Sequence, residues 1–225
     1  MADQVDARGL TVAVLGGTGD LGQGLVYRLA GAGVHMIVGS RDEQRAVDGA
    51  AALSALMPDG SIEGATNDEA SRRADLVIVA VPWAGHDATL TDLSAVLVGK
   101  IVVDCVNPLG FDAHGAYRLD VPEGSAAQQA AALLPASRVV AAFHNVSASM
   151  LMDSHVDDLA QDVLVLGDDR GATDVVRALA DLMPGVRGVF GGRLRNAGQV
   201  EALTANLIAI NRRYKARSGI RITGL

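Results

Sequence analysis

Leu10-Thr11-Val12-Ala13-Val14-Leu15-Gly16-Gly17-Thr18-Gly19-Asp20-Leu21-Gly22 is an apolar run that ends in a glycine-rich turn. Gly17, Gly19 and Gly22 fit the G-x-G-x-x-G spacing, which supplies a tight turn, a backbone free of side chains beside a pyrophosphate, and close packing of helix on strand. The helix expected from about Asp20 carries Leu21, Leu25 and Leu29 on one face, and its unpaired amide groups and positive dipole end would point at that pyrophosphate. Glycine matches come cheaply in a chain with 26 Gly among 225 residues, so the context matters more than the match. A second apolar strand, His35 to Val38, completes a strand-helix-strand unit of the right length.

About twenty residues past such a turn, an NAD site places Asp or Glu on the ribose 2′-hydroxyl. Here the chain reads Val38-Gly39-Ser40-Arg41, with Arg45 one helical turn further on the same face. A carboxylate would repel a 2′-phosphate, whereas a hydroxyl and two guanidiniums would hold one, which points to NADP(H). The plainer reading makes Ser40-Arg41 a solvated loop in which Ser40 caps the following helix.

Downstream, helix and strand signals alternate. Helices are expected from Asp42 to about Leu56, from about Asp87 to Leu97, from Ser125 to Leu134 and from Thr173 to Leu182; strands are expected at Leu76 to Val81, Ile101 to Asp104, Arg138 to Ala142 and Val163 to Leu166. The strands are continuous apolar runs, as in a parallel sheet covered on both faces. Pro108, Pro122, Pro135 and Pro184 fall between elements, and no linker or internal repeat divides the chain. The reading is an α/β chain, a Rossmann doubly wound fold with a mainly parallel sheet, in which residues 1–195 form the NADP(H)-binding domain and 196–225 a small carboxyl-terminal helical cap.

An apolar content of 49% can fill a sizeable core, and a net charge of −7 with a pI near 5.1 argues against non-specific nucleic-acid binding. Met1 to Gly9 lacks the layout of a secretory leader, and no apolar stretch reaches membrane-spanning length, so a cytoplasmic location and no membrane partner are expected. Cys105 is the sole cysteine, which leaves no internal disulfide and no cysteine metal cluster, and its place after an apolar strand suggests burial.

Val200 to Ile210 is apolar nearly all round, so it should be buried, against a second subunit, against a flat aromatic ligand or within the chain's own core. Arg212, Arg213, Lys215, Arg217 and Arg221 follow it; they either complement a helix carboxyl terminus or await an acidic ligand tail. Three loops should build the far end of the nucleotide site at the carboxyl edge of the sheet. Val81-Pro82-Trp83 offers the chain's one tryptophan, for a flat ligand or for packing over the sheet edge. Asn107-Pro108-Leu109-Gly110 offers an amide for a nicotinamide carboxamide, or a plain Asx turn. Phe143-His144-Asn145-Val146-Ser147-Ala148 offers a histidine that either moves a proton or is structural.

Absences narrow the chemistry. The only lysines, Lys100 and Lys215, are badly placed for the helical acid of hydroxyacid dehydrogenases. There is no G-x-S-x-G elbow and no H-E-x-x-H pair, and His35, His86, His114 and His155 stand singly. Hydride transfer between two bound cofactors, which needs alignment more than a protein nucleophile, remains. Two alternatives stay open: an NADP-dependent reductase of a small imine or carbonyl compound, and a non-catalytic NADP(H)-sensing protein.

From about Leu10 to Leu225 the chain resembles the NADPH:F420 oxidoreductases, in the glycine turn, in Val38-Gly39-Ser40-Arg41 with Arg45, in Val81-Pro82-Trp83, in Phe143-His144-Asn145 and in the carboxyl-terminal helix. The resemblance implies hydride transfer between NADP(H) and the deazaflavin coenzyme F420. It implies that Thr18, Ser40, Arg41 and Arg45 grip the 2′-phosphate and that Gly19, Asp20 and Leu21 line the pyrophosphate. Trp83 and Ala148 would lie along NADP(H), with Val81, Pro82, Asn107 and Leu207 beside the bound cofactors. The deazaflavin would stack near His144, Asn145 and Val146, with His144 handling its proton. It further implies a homodimer paired through the carboxyl-terminal region.

Overall fold

The computed structural model describes residues 6–225, so the first five residues of the Met1–Gly9 stretch lie outside the described part. The glycine-rich turn links strand β1 (Thr11–Leu15) to helix α1 (Asp20–Gly31), which leads into β2 (His35–Ser40). Then come α2 (Glu43–Leu56), β3 (Ile62–Thr66), α3 (Asn67–Arg73), β4 (Leu76–Val79), α4 (His86–Leu93) and β5 (Ile101–Asp104). A hairpin of β6 (Leu109–Asp112) and β7 (Gly115–Arg118) precedes α5 (Ala126–Leu133), β8 (Arg138–Ala141), α6 (Ala148–Leu151), β9 (Gln161–Gly167), α7 (Arg170–Asp181), β10 (Val186–Gly192) and α8 (Ala197–Tyr214).

The main sheet has the order β10-β9-β8-β5-β4-β1-β2-β3, with neighbours parallel except for the β8–β9 pair. From β3 to β8 this is the doubly wound Rossmann order, with its switch between β1 and β4, where a crevice opens at the carboxyl ends of the strands. Side chains along β1 alternate between two cores: Val12 and Val14 face one layer, Ala13 and Leu15 the other. That two-sided burial explains why the strands read as unbroken apolar runs.

Four features differ from the sequence expectation. First, β3 and α3 fill a stretch with no assigned element, and β6, β7 and β10 are likewise additional. Second, β9 and β10 run against the other strands, because the chain after β8 stays at the carboxyl edge and does not cross back over the sheet. Arg28, in the last turn of α1, ties this connection to the helix, donating to the carbonyls of Met150, Leu151 and Asp153 at 2.7 to 3.0 Å. Third, Ser40 is not the cap of α2; the Asp42 carboxylate is, accepting from the Arg45 amide at 2.8 Å.

Fourth, α8 is not buried all round. Val200, Glu201 and Leu207 face inward, while Ala209 and Ile210 are exposed. Its basic end is also divided. Arg217 pairs with Asp153 at 2.7 Å and Arg221 donates to the Gly185 carbonyl at 3.2 Å, so these two cations bind the tail to the protein itself. Buried Asp162 anchors that strap: Arg187 grips both its oxygens at 2.7 Å, and the Ile222 amide donates to it at 2.6 Å. Cys105 is buried as expected, and among the described residues no helix is long and apolar enough to cross a membrane.

Candidate functional site

The site begins with backbone. Gly16 sits at φ +77° with its Cα against the end of β4, where a Cβ would lie 2.7 Å from the Ala80 carbonyl oxygen. The left-handed turn therefore belongs to the glycine before the counted motif. Gly22 lets α1 close on the turn, since a Cβ there would stand 2.5 Å from the Gly16 oxygen. Helices α2, α3, α5 and α7 each have a side-chain cap, from Asp42, Thr66, Ser125 and Asp169. Helix α1 starts from Gly19 without one, so the amides of its first turn are left for an anion.

A cleft of about 590 Å³ opens over that turn. Thr18, Gly19, Asp20, Leu21, Ser40, Arg41, Arg45, Val81 and Pro82, all expected on the nucleotide, line it together. The Ser40 hydroxyl oxygen accepts from the Asp42 amide at 3.2 Å, which leaves its proton free to donate into the cleft. Arg41 and Arg45 are exposed and, among the described residues, enter no ion pair, unlike Arg73 with Glu63 or Arg187 with Asp162. Two unspent guanidiniums beside an unspent hydroxyl have the chemistry to hold a phosphate. Asn67, Ala84 and Thr89 also line the cleft and were not expected there.

The residues expected at the other end are brought near one another but not into this cleft. Trp83 is half-buried against the core, its ring 5.4 Å from that of His86, so packing accounts for it. Asn107 and His144 bond to each other: the Asn107 amide donates to the His144 carbonyl and His144 Nδ1 meets Asn107 Oδ1, both at 3.1 Å. Thr204 of α8 donates to the same carbonyl at 2.8 Å. His144 and Asn145 are buried with Val146, as is Leu207, and Ala148 is partly exposed at the start of α6. Phe143 just before them has φ 63°, a costly conformation for an aromatic residue, held by full burial of its ring.

Burial lowers the His144 pKa to about 4. Burial therefore favours the neutral ring, which keeps one N–H and one acceptor nitrogen, and its Nε2 is buried without a partner among the described residues. Its observed task is to join the loops after β5 and β8 to α8.

Beneath these loops lies a polar network that went unread in the sequence. His86 and Asp104 are fully buried, 2.6 Å apart, and His86 Nδ1 reaches Gln129 at 2.9 Å. Burial pulls the His86 pKa down, but the hydrogen bond and charge of Asp104 outweigh it and the net shift is upward. Glu201 of α8 accepts from the Ala126 and Ala127 amides at 2.9 and 3.1 Å, so it caps α5 from a distant element. Burial raises its pKa to about 7, against the lowering effect of those two amides. The one available signal was Asp104, a carboxylate closing an otherwise apolar strand, which must find a partner.

The fold and the cleft define a dinucleotide-binding oxidoreductase of the Rossmann class. A family model described as "NADP oxidoreductase coenzyme F420-dependent" matches residues 11–108. The F420-dependent NADP reductase of Methanothermobacter marburgensis is 41% identical over 223 residues, covering 96% of this chain and 99% of that one. The enzyme of the same name from Methanocaldococcus jannaschii is 37% identical over 225 residues, with 96% and 99% covered. Among solved structures, a candidate F420-dependent NADP reductase from Arthrobacter sp. FB24 superposes with a TM-score of 0.79 at 28% identity, covering 96% of this chain and 100% of that one. The chain belongs to the F420-dependent NADP reductase family.

Proposed function

We propose that this chain passes a hydride directly between NADP(H) and the deazaflavin coenzyme F420. The observation that carries the reading is the convergence of Ser40, Arg41 and Arg45 on the uncapped start of α1, within one cleft. When both are bound, the nicotinamide and deazaflavin rings supply the redox chemistry between them. The protein binds, aligns and excludes water.

In this reading Ser40, Arg41, Arg45 and Thr18 hold the 2′-phosphate, while Gly19 lines the pyrophosphate and the amides of Asp20 and Leu21 receive it. Val81 and Pro82 carry the chain of the dinucleotide toward the β5 and β8 loops. There Asn107, His144, Asn145 and Val146 form a braced floor, with Trp83, Ala148 and Leu207 behind it. The proton that accompanies the hydride is supplied ultimately by solvent, with burial favouring the neutral form of His144.

Helix α8 packs against the β6–β7 hairpin, and apolar side chains stay exposed on both, Ile210 and Tyr214 on the helix and Phe111 and Tyr117 on the hairpin. This supports a homodimer in which a second copy covers them; a sedimenting mass of one chain would refute it. Both cofactors are soluble, which suits a cytoplasmic enzyme. Mixing the protein with NADPH and F420 tests the main reading: the deazaflavin absorption should bleach as NADPH is consumed, and binding of NADPH without any bleaching would refute it.

A further inference from the structure

Asn67 stands at the first position of α3, and its carboxamide lies over the carboxyl end of β2. It lines the nucleotide cleft, yet the residue is only 9% exposed and its Oδ1 is buried without a hydrogen-bond partner. A buried, unsatisfied amide oxygen is costly and calls for an explanation in each case. Gly39 makes room for it: a Cβ at that position would come within 2.9 Å of Asn67 Oδ1. Thus the glycine between Val38 and Ser40 serves the asparagine as well as the strand.

The phosphate does not explain Asn67. Donors for it are already supplied by Ser40, Arg41 and Arg45, and an amide oxygen cannot bond to a phosphate oxygen. A carboxamide can turn about its last torsion, and so presents a donor and an acceptor side by side on one plane. The edge of adenine bears the matching pair, an exocyclic amine beside a ring nitrogen, and asparagine pairs with it in two bonds.

We propose that Asn67 recognises the adenine base of the nicotinamide cofactor, accepting from its exocyclic amine and donating to the neighbouring ring nitrogen. This rests on the cleft being the nucleotide site, as argued above. It makes the end of β3 a specificity element, distinct from the phosphate grip at the end of β2.

The test compares NADPH with its hypoxanthine analogue, in which a carbonyl replaces the amine, on the native protein and on Asn67→Ala and Asn67→Ser, with F420 as the acceptor. The native protein should lose about tenfold or more in kcat/KM on the analogue, the effect of one hydrogen bond replaced by a repulsive contact. The variants should lose a similar factor on NADPH and show no further loss on the analogue, with KM for F420 unchanged. Equal use of the two cofactors by the native protein overturns the proposal, whether or not the variants fold. Variants that still discriminate overturn it as well. Arg41→Ala run alongside separates the two levels: if Arg41 matters and Asn67 does not, only base recognition falls, and if neither matters the nucleotide cleft itself is misplaced.

Discussion

Replacing Arg41 by alanine isolates the phosphate grip. Arg41 lies in the cleft wall, exposed and without an ion-pair partner among the described residues, so its removal breaks nothing in the free protein. What is lost is a charge-assisted hydrogen bond to the bound cofactor, worth about 1.5 to 3 kcal/mol. Exposure puts the value toward the lower part of that range, and about 2 kcal/mol corresponds to roughly a thirtyfold rise in KM for NADPH. Arg45, four residues on and facing the same cleft, keeps part of the attraction, so the double variant should lose more than the product of the two single losses. Steady-state kinetics with NADPH and F420 at low salt measures the effect, and it should shrink as ionic strength shortens the screening length from about 10 Å at 0.1 M to about 3 Å at 1 M. KM for F420 should not move, and activity with NADH, which lacks the 2′-phosphate, should stay at its native level. An equal loss with NADH would refute the reasoning, because no phosphate contact could then be responsible.

Two further outcomes follow from the buried titratable groups. Glu201 has an ordinary value of 4.5 raised to about 7 in the fold, so it contributes stability below pH 4.5 that is lost as pH rises toward 7, about 3 kcal/mol in all. Glu201→Gln, neutral throughout and still able to accept one amide, should flatten that part of the denaturant-derived stability profile; identical slopes in both proteins would show that Glu201 does not titrate there. His144→Ala should lower thermal stability, since it deletes the bond to Asn107, but leave the shape of the kcat/KM profile unchanged between pH 5.5 and 8.5. Loss of one limb of that profile would return the proton to His144.

The cleft over the glycine turn was legible because its walls are backbone and exposed cations. Gly16 to Gly22 and Val38 to Arg41 act through what they lack or leave unpaired, and such properties travel with the local sequence. Strand β3 was not legible. As an edge strand with Glu63 and Gly64 at its centre it has no apolar run to announce it, and Gly64 is there because α2 crosses so closely that a Cβ would meet the Ala46 backbone at 2.4 Å. Thr66, whose hydroxyl oxygen accepts from the Glu69 amide at 3.2 Å, begins a capping pattern that could have exposed α3. The reversal of β9 has no local signature at all. The connection before it is tied down by Arg28, which binds carbonyls 122 to 125 residues away.

The redox end was harder to read. His144, Asn107 and Trp83 each allowed a ligand-facing and a structural reading, because polar and aromatic residues on loops at the carboxyl edge of a sheet serve both ends. In the fold they are joined to each other and to α8, through the Asn107–His144 pair, the Thr204 bond to the His144 carbonyl and the Trp83–His86 contact. A side chain with a partner inside the protein is already accounted for, and only tertiary structure reveals which have one. The converse criterion found Asn67: a polar atom that the protein itself fails to satisfy, in the wall of a cleft built for a nucleotide. The same unspent capacity recurs at His144 Nε2 and Asn145 Oδ1, buried without partners near the β5 and β8 loops, so in the proposed reading both ends of the cofactor site keep hydrogen bonds in reserve.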